Sequence, residues 1–73
     1  MRIENSVIKG DVVARGDSSI TLIDSLVESQ GVNDDGSSFF GNLFVQDNAT
    51  ITLVNTVVEG AVTKSGSGTV VER

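Results

Sequence analysis

The chain has 73 residues, with ten acidic and five basic side chains, no histidine, no cysteine and no proline, and a net charge of −5. So small a chain buries little apolar surface, and without cysteine or histidine it has neither disulfides nor thiolate or imidazole metal sites to hold it together. The acidic balance argues against direct binding to nucleic acid or to anionic lipid, both of which need basic surface, and it suits a partner with a basic surface.

In chain order the sequence is one phrase said three times. Met1–Glu4 matches Ile20–Ile23 one period later. The periods are 5–23, 24–54 and 55–73, the second being lengthened by an insertion at 29–40. Aligning Asn5, Asp24 and Asn55 puts Gly10, Gly41 and Gly60 in one column, Val12, Leu43 and Val62 in another, and Ile20, Ile51 and Val70 in a third. Each period holds three short β-type runs. The first are Val7-Ile8, Leu26-Val27 and Val57-Val58. The second are Val12–Ala14, Leu43–Val45 and Val62-Thr63. The third are 19–22, 50–53 and 69–71. β-Branched residues and alternation mark strands, and Gly, Asp, Asn and Ser between them mark turns. Strands this short, at the same spacing in every period, are expected to stack in parallel as rungs of a three-sided solenoid ~4.8 Å apart.

The N-S-x-[IV]-x-G-x-V and [ST]-I-T-L segments resemble the right-handed parallel β-helix repeats of pectin-lyase-like proteins, autotransporter passengers and bactofilins. The resemblance covers nearly the whole chain and is one of repeat pattern, and it is the source of the expected handedness. The fold class expected is therefore all-β: one domain over 1–73, a short right-handed parallel β-helix of about three 19-residue rungs with a 12-residue insertion.

Phasing the alternation points Ile3, Ile8, Val12, Ala14, Ile20, Leu22, Val27, Leu43, Val45, Ile51, Leu53, Val58, Val62 and Val70 inward. Asn5, Asp24 and Asn55 are expected to turn their side chains onto corner backbone, with stacked amides adding a ladder. Lys64 and Glu72 fall in core columns of the last rung, which reads as a polar cap or a frayed end.

Three surfaces compete for function. Glu28 and Glu59 share a column where the first period has Lys9; Asp11 lies just beyond the same corner, and the insertion adds Asp34 and Asp35. A row of carboxylates could imitate phosphates and occupy a nucleic-acid-binding groove, or be a solvated surface. Phe39 and Phe40 form a hot-spot pair if exposed, or cover a sheet face or open end if folded back. Val7, Leu26 and Val57 point outward and form a possible homo-oligomer seam. A Glu28–Glu59 glycosidase pair lacks any Trp or Tyr platform. The segment Asn33-Asp34-Asp35-Gly36 has the look of a calcium loop but lacks the first-position acid and the bidentate Glu. Arg15-Gly16-Asp17 and Asn48-Ala49-Thr50 fall at turn corners, which accounts for both.

The expectation is a non-enzymatic acidic binding protein without cofactor or metal. It would occlude a basic surface of a partner protein through Asp11, Glu28, Asp34, Asp35 and Glu59 with Phe39 and Phe40. In size and charge it is similar to compact phage-encoded inhibitors, including anti-CRISPR proteins. The alternative is a structural or self-assembling module of a surface, fibre or filament protein. No apolar run is long enough to span a membrane and no charged-then-apolar leader opens the chain, so a cytoplasmic location is expected, in the host cell if phage-encoded.

Overall fold

The computed structural model describes residues 1–37 and 39–73. Among the described residues ten strands follow one another: β1 (Arg2–Glu4), β2 (Val7–Ile8), β3 (Val12–Ala14), β4 (Ser19–Ile23), β5 (Leu26–Val27), β6 (Leu43–Val45), β7 (Thr50–Val54), β8 (Val57–Val58), β9 (Val62–Lys64) and β10 (Thr69–Glu72). They form three parallel sheets in the orders β1-β4-β7-β10, β2-β5-β8 and β3-β6-β9. The chain is thus a short parallel β-helix, visiting each sheet once per rung.

The register follows the sequence columns. Val12 pairs with Leu43 and Leu43 with Val62. Ile20 pairs with Ile51 and Ile51 with Val70, and Ile3 with Leu22. Inward residues meet in one core of Val12, Ala14, Ile20, Leu22, Val27, Leu43, Val45, Ala49, Ile51 and Leu53. Ile3, Ile8, Val58 and Val70 are half-buried against it. Val62 keeps its column but is 44% exposed, and Lys64 and Glu72 are exposed. Within this chain no rung lies over them.

Ala49 is a core residue the alternation does not reveal, because it lies in a corner and not in a strand. Its column, Ser18, Ala49 and Gly68, is held to small side chains. A Cβ on Gly68 would come within 2.8 Å of Val45 Cγ1.

The corner between the first two sheets shows how the rungs lock. Asn5, Asp24 and Asn55 all have φ near +50°, the left-handed region that Asn and Asp enter more readily than other side-chain-bearing residues. Their side chains do not do the backbone work expected of them. The expected side-chain ladder is there: Asn55 Nδ2 donates to Asp24 Oδ1 at 2.8 Å. The backbone is served by the next column, Ser6, Ser25 and Thr56. Ser25 Oγ accepts the Ser6 amide at 3.2 Å and donates to the Ile23 carbonyl at 2.8 Å. Thr56 Oγ1 likewise accepts the Ser25 amide at 3.3 Å and lies 3.0 Å from the Val54 and Leu22 carbonyls. A hydroxyl is both donor and acceptor, so it can bridge an amide of one rung to a carbonyl of another. This satisfies the otherwise buried Ser25.

Candidate binding surface around the inserted hairpin

The described residues of the insertion, between β5 and β6, carry the backbone bonding of a hairpin. Gln30 N donates to Phe39 O at 2.8 Å, Phe39 N to Gly31 O at 2.8 Å and Asn33 N to Ser37 O at 2.7 Å. Gly36 N closes the turn on Asn33 O at 3.0 Å, and Gly36 has φ +90°. This is the bonding of a three-residue hairpin loop, whose last position favours glycine. The letters Asn-Asp-Asp-Gly are therefore turn chemistry. Asp35 Oδ1 accepts the Ser37 hydroxyl at 2.6 Å and its amide at 2.9 Å. These two bonds, the hydroxyl foremost, hold the Asp35 carboxyl below its usual range.

Both feet of the hairpin are pinned by carboxylates from the neighbouring rungs. At the entry foot, Glu59 Oε1 accepts the Ser29 amide at 3.0 Å. Ser29 is the first inserted residue, and its amide is capped by the side chain of the next rung. At the exit foot, Asp11 Oδ1 accepts the Asn42 amide at 3.0 Å, and Asn42 Oδ1 passes the device on by accepting the Ala61 amide at 2.9 Å. Gly41 sits between these anchors with φ +75°, and a Cβ there would lie 2.6 Å from Ser29 N. The two feet cross too closely for any side chain at that position.

The five expected carboxylates thus fall into two groups. Asp11, Glu28 and Glu59 lie at the feet, Glu28 being half-buried. Asp34 and Asp35 lie at the hairpin tip, five and six residues on from Ser29, and five residues span ~17 Å along an extended strand. Among the described residues no three acidic side chains are close enough to hold a metal ion. Asp11 and Glu59 each spend one oxygen on the scaffold and keep the other for solvent or a partner. Sequence spacing brings out the shared corner; it does not reveal these side-chain-to-backbone bonds, whose partners lie 30 or 31 residues away.

Phe39 and Phe40 are 50% and 42% exposed, and their rings stack with centroids 4.6 Å apart and planes 19° apart. Neighbouring side chains in a regular strand point to opposite faces. Phe40 escapes that alternation because its φ is +65°, which turns its ring to the side of Phe39. Neither ring is part of the core.

On the second sheet Val7 and Val57 are 57% and 60% exposed, while Leu26, flanked by a rung on either side, is half-buried. Val7 and Leu26, with Asn5, Ser6, Asp24, Ser25 and Asn55, line a shallow groove. Two residues by three rungs is ~7 by ~14 Å, about 100 Å². That is a fraction of the ~800 Å² each partner contributes to a standard interface, so assembly through this stripe calls for further surface beside it.

No helix occurs among the described residues, hence none long and apolar enough to cross a membrane. In comparisons with known proteins, no family model matches the chain, and neither a curated protein nor a solved structure matches it.

Proposed function

We propose that the chain is a non-enzymatic acidic binding protein whose hairpin-bearing corner covers a basic surface of a partner protein, of the kind that otherwise takes nucleic acid. The observation that carries this reading is the corner itself, where carboxylates of three rungs bracket a protruding hairpin with two more at its tip and an exposed aromatic pair at its base. A rigid platform fixes the spacing of these charges before binding, so little ordering cost accompanies association. Charge opposite to the partner's speeds encounter and rejects acidic competitors. No basic residue stands in the Glu28–Glu59 column after Lys9.

The test offers the immobilised chain to a panel of purified basic nucleic-acid-binding proteins, with and without competing double-stranded DNA. Retention that DNA releases, and that Glu28→Lys combined with Asp34→Lys abolishes, is the expected result. Retention indifferent to DNA and to charge reversal refutes occlusion. A self-assembling module is the second reading, favoured by the exposure of Val7 and Val57. Light scattering at two concentrations separates the two, since assembly grows with concentration and a decoy stays monomeric.

A further inference from the structure

The aromatic pair raises a question that acidity does not answer. Phe40 occupies a backbone conformation that bulky side chains avoid, and its ring is not enclosed by the fold. Strain of this kind persists where surrounding structure enforces it, and clusters at ligand clamps. Here the enforcement is visible. Phe39 is bonded through both its amide and its carbonyl to the opposite hairpin strand, and Gly41 beyond Phe40 is pressed against Ser29. The outcome of the strained residue is one flat surface made of two rings.

We propose that Phe39 and Phe40 act as a single aromatic anchor that seats in an apolar pocket of the partner protein, a pocket rimmed by lysine or arginine. The proposal rests on the binding reading above and names what that surface fits. The rim chemistry follows from placement. Ser29, bonded to Glu59, directly precedes Gln30, whose amide meets Phe39 O; Asn42, bonded to Asp11, follows Phe40 by two residues. Carboxylates therefore flank the rings on both feet.

Other occupants fit worse. A second copy would set its own acidic corner against this one. A single-stranded nucleic acid could stack on the rings, but its phosphates would meet Asp11, Glu28 and Glu59. The chain's own core needs no such cover, since Leu43, Val45 and Leu53 are already enclosed. Aromatic anchors ringed by polar groups that exclude water are the usual make-up of binding hot spots.

Two synthetic peptides of equal length and charge test the anchor, one alternating lysine with leucine and one lysine with serine, with affinity read by fluorescence anisotropy. The expected result is that the intact chain prefers the leucine peptide by about tenfold or more. Phe39→Ala and Phe40→Gly each bring that preference down to near one while leaving affinity for the serine peptide unchanged. Phe40→Gly also keeps or raises the melting temperature, because glycine enters the left-handed region freely. An unchanged peptide preference in both variants overturns the anchor. So does a fall of more than about 10 °C in Phe40→Gly, well over the ~4–8 °C that 1 kcal/mol brings in a chain this size, since the ring would then be serving the fold. Failure of the acidic reading looks different: Glu28→Lys with Asp34→Lys would leave affinity for both peptides untouched.

Discussion

Ser25 is the residue through which the stacked rungs can be tested most directly. Its hydroxyl accepts the Ser6 amide and donates to the Ile23 carbonyl, and the side chain is buried. Ser25→Ala removes no apolar contact and creates almost no void. Its cost is the stranding of the half-buried Ser6 amide. An unpaired buried donor costs about 1–3 kcal/mol, and the partial exposure of Ser6 puts the expected loss at the lower end, about 1–2 kcal/mol. For a domain of this size each kcal/mol lowers the melting temperature by roughly 4–8 °C, so a fall of roughly 4–16 °C is expected by circular dichroism. Ser25→Thr should stay close to the parent, because Thr56 already fills the same column with the same pair of bonds. Hydrogen exchange supplies the local readout: the Ser6 amide, slow in the parent, should exchange quickly in Ser25→Ala. If Ser25→Thr falls as far as Ser25→Ala, side-chain size and not the hydroxyl is what the corner requires. If Ser6 exchange does not change, the inter-rung bond is not what protects it. Either outcome refutes the hydroxyl ladder.

Three further outcomes are expected. Gly41→Ala should destabilise by at least about 2 kcal/mol in denaturant titration, because it combines a positive φ with a Cβ driven into Ser29 backbone. Deleting 29–40, so that Glu28 joins Gly41, restores the spacing of Ile8-Lys9-Gly10-Asp11-Val12. The circular dichroism spectrum and cooperative melting should survive while binding of the leucine peptide is lost. Asp35 has a carboxyl pKa held below its unfolded value, so its bonds to Ser37 add stability to the hairpin turn above that unfolded value. They are lost as pH falls through the lowered one. The Ser37 amide resonance should therefore titrate with a midpoint below 3.8, the ordinary value for this carboxyl. A midpoint at or above it would show that the turn bonds are not formed in solution.

The scaffold was legible because a solenoid repeats its environment. Val12, Leu43 and Val62 occupy equivalent places, so their likeness in sequence is a direct image of the register. What was not legible depends on interactions without a local pattern. Asn5, Asp24 and Asn55 announce a corner, but their identity is explained by a left-handed backbone, and the bonding role passes to the modest Ser6, Ser25 and Thr56. Glu59 reads in sequence as a displayed carboxylate, and its bond to the Ser29 amide, 30 residues away, has no local signature. The hairpin lay hidden because Asn-Asp-Asp-Gly suits a metal loop and a tight turn alike, and only backbone bonding separates them. Phe39 and Phe40 were visible as an unusual pair, yet which way they face follows from one torsion angle that no composition reveals.

The register also bears on how the chain finds its fold. Pairings between the outer rungs and their neighbours join residues 19 apart, as in Val7 with Leu26 and Leu43 with Val62. The insertion stretches the central ones to 31, as in Val12 with Leu43. Lengthening a flexible loop by that ratio costs about 0.4 kcal/mol of closure entropy, roughly twofold in rate. Because every strand pairing is non-local, folding belongs to the slow regime of topology-limited proteins. A hairpin, though, closes on its own in microseconds. By zipping Gln30 to Phe39 before the rungs meet, the inserted segment shortens the effective path between Glu28 and Gly41. Building the insertion as a hairpin rather than an open loop lets the chain carry twelve additional residues with little delay in its search for register.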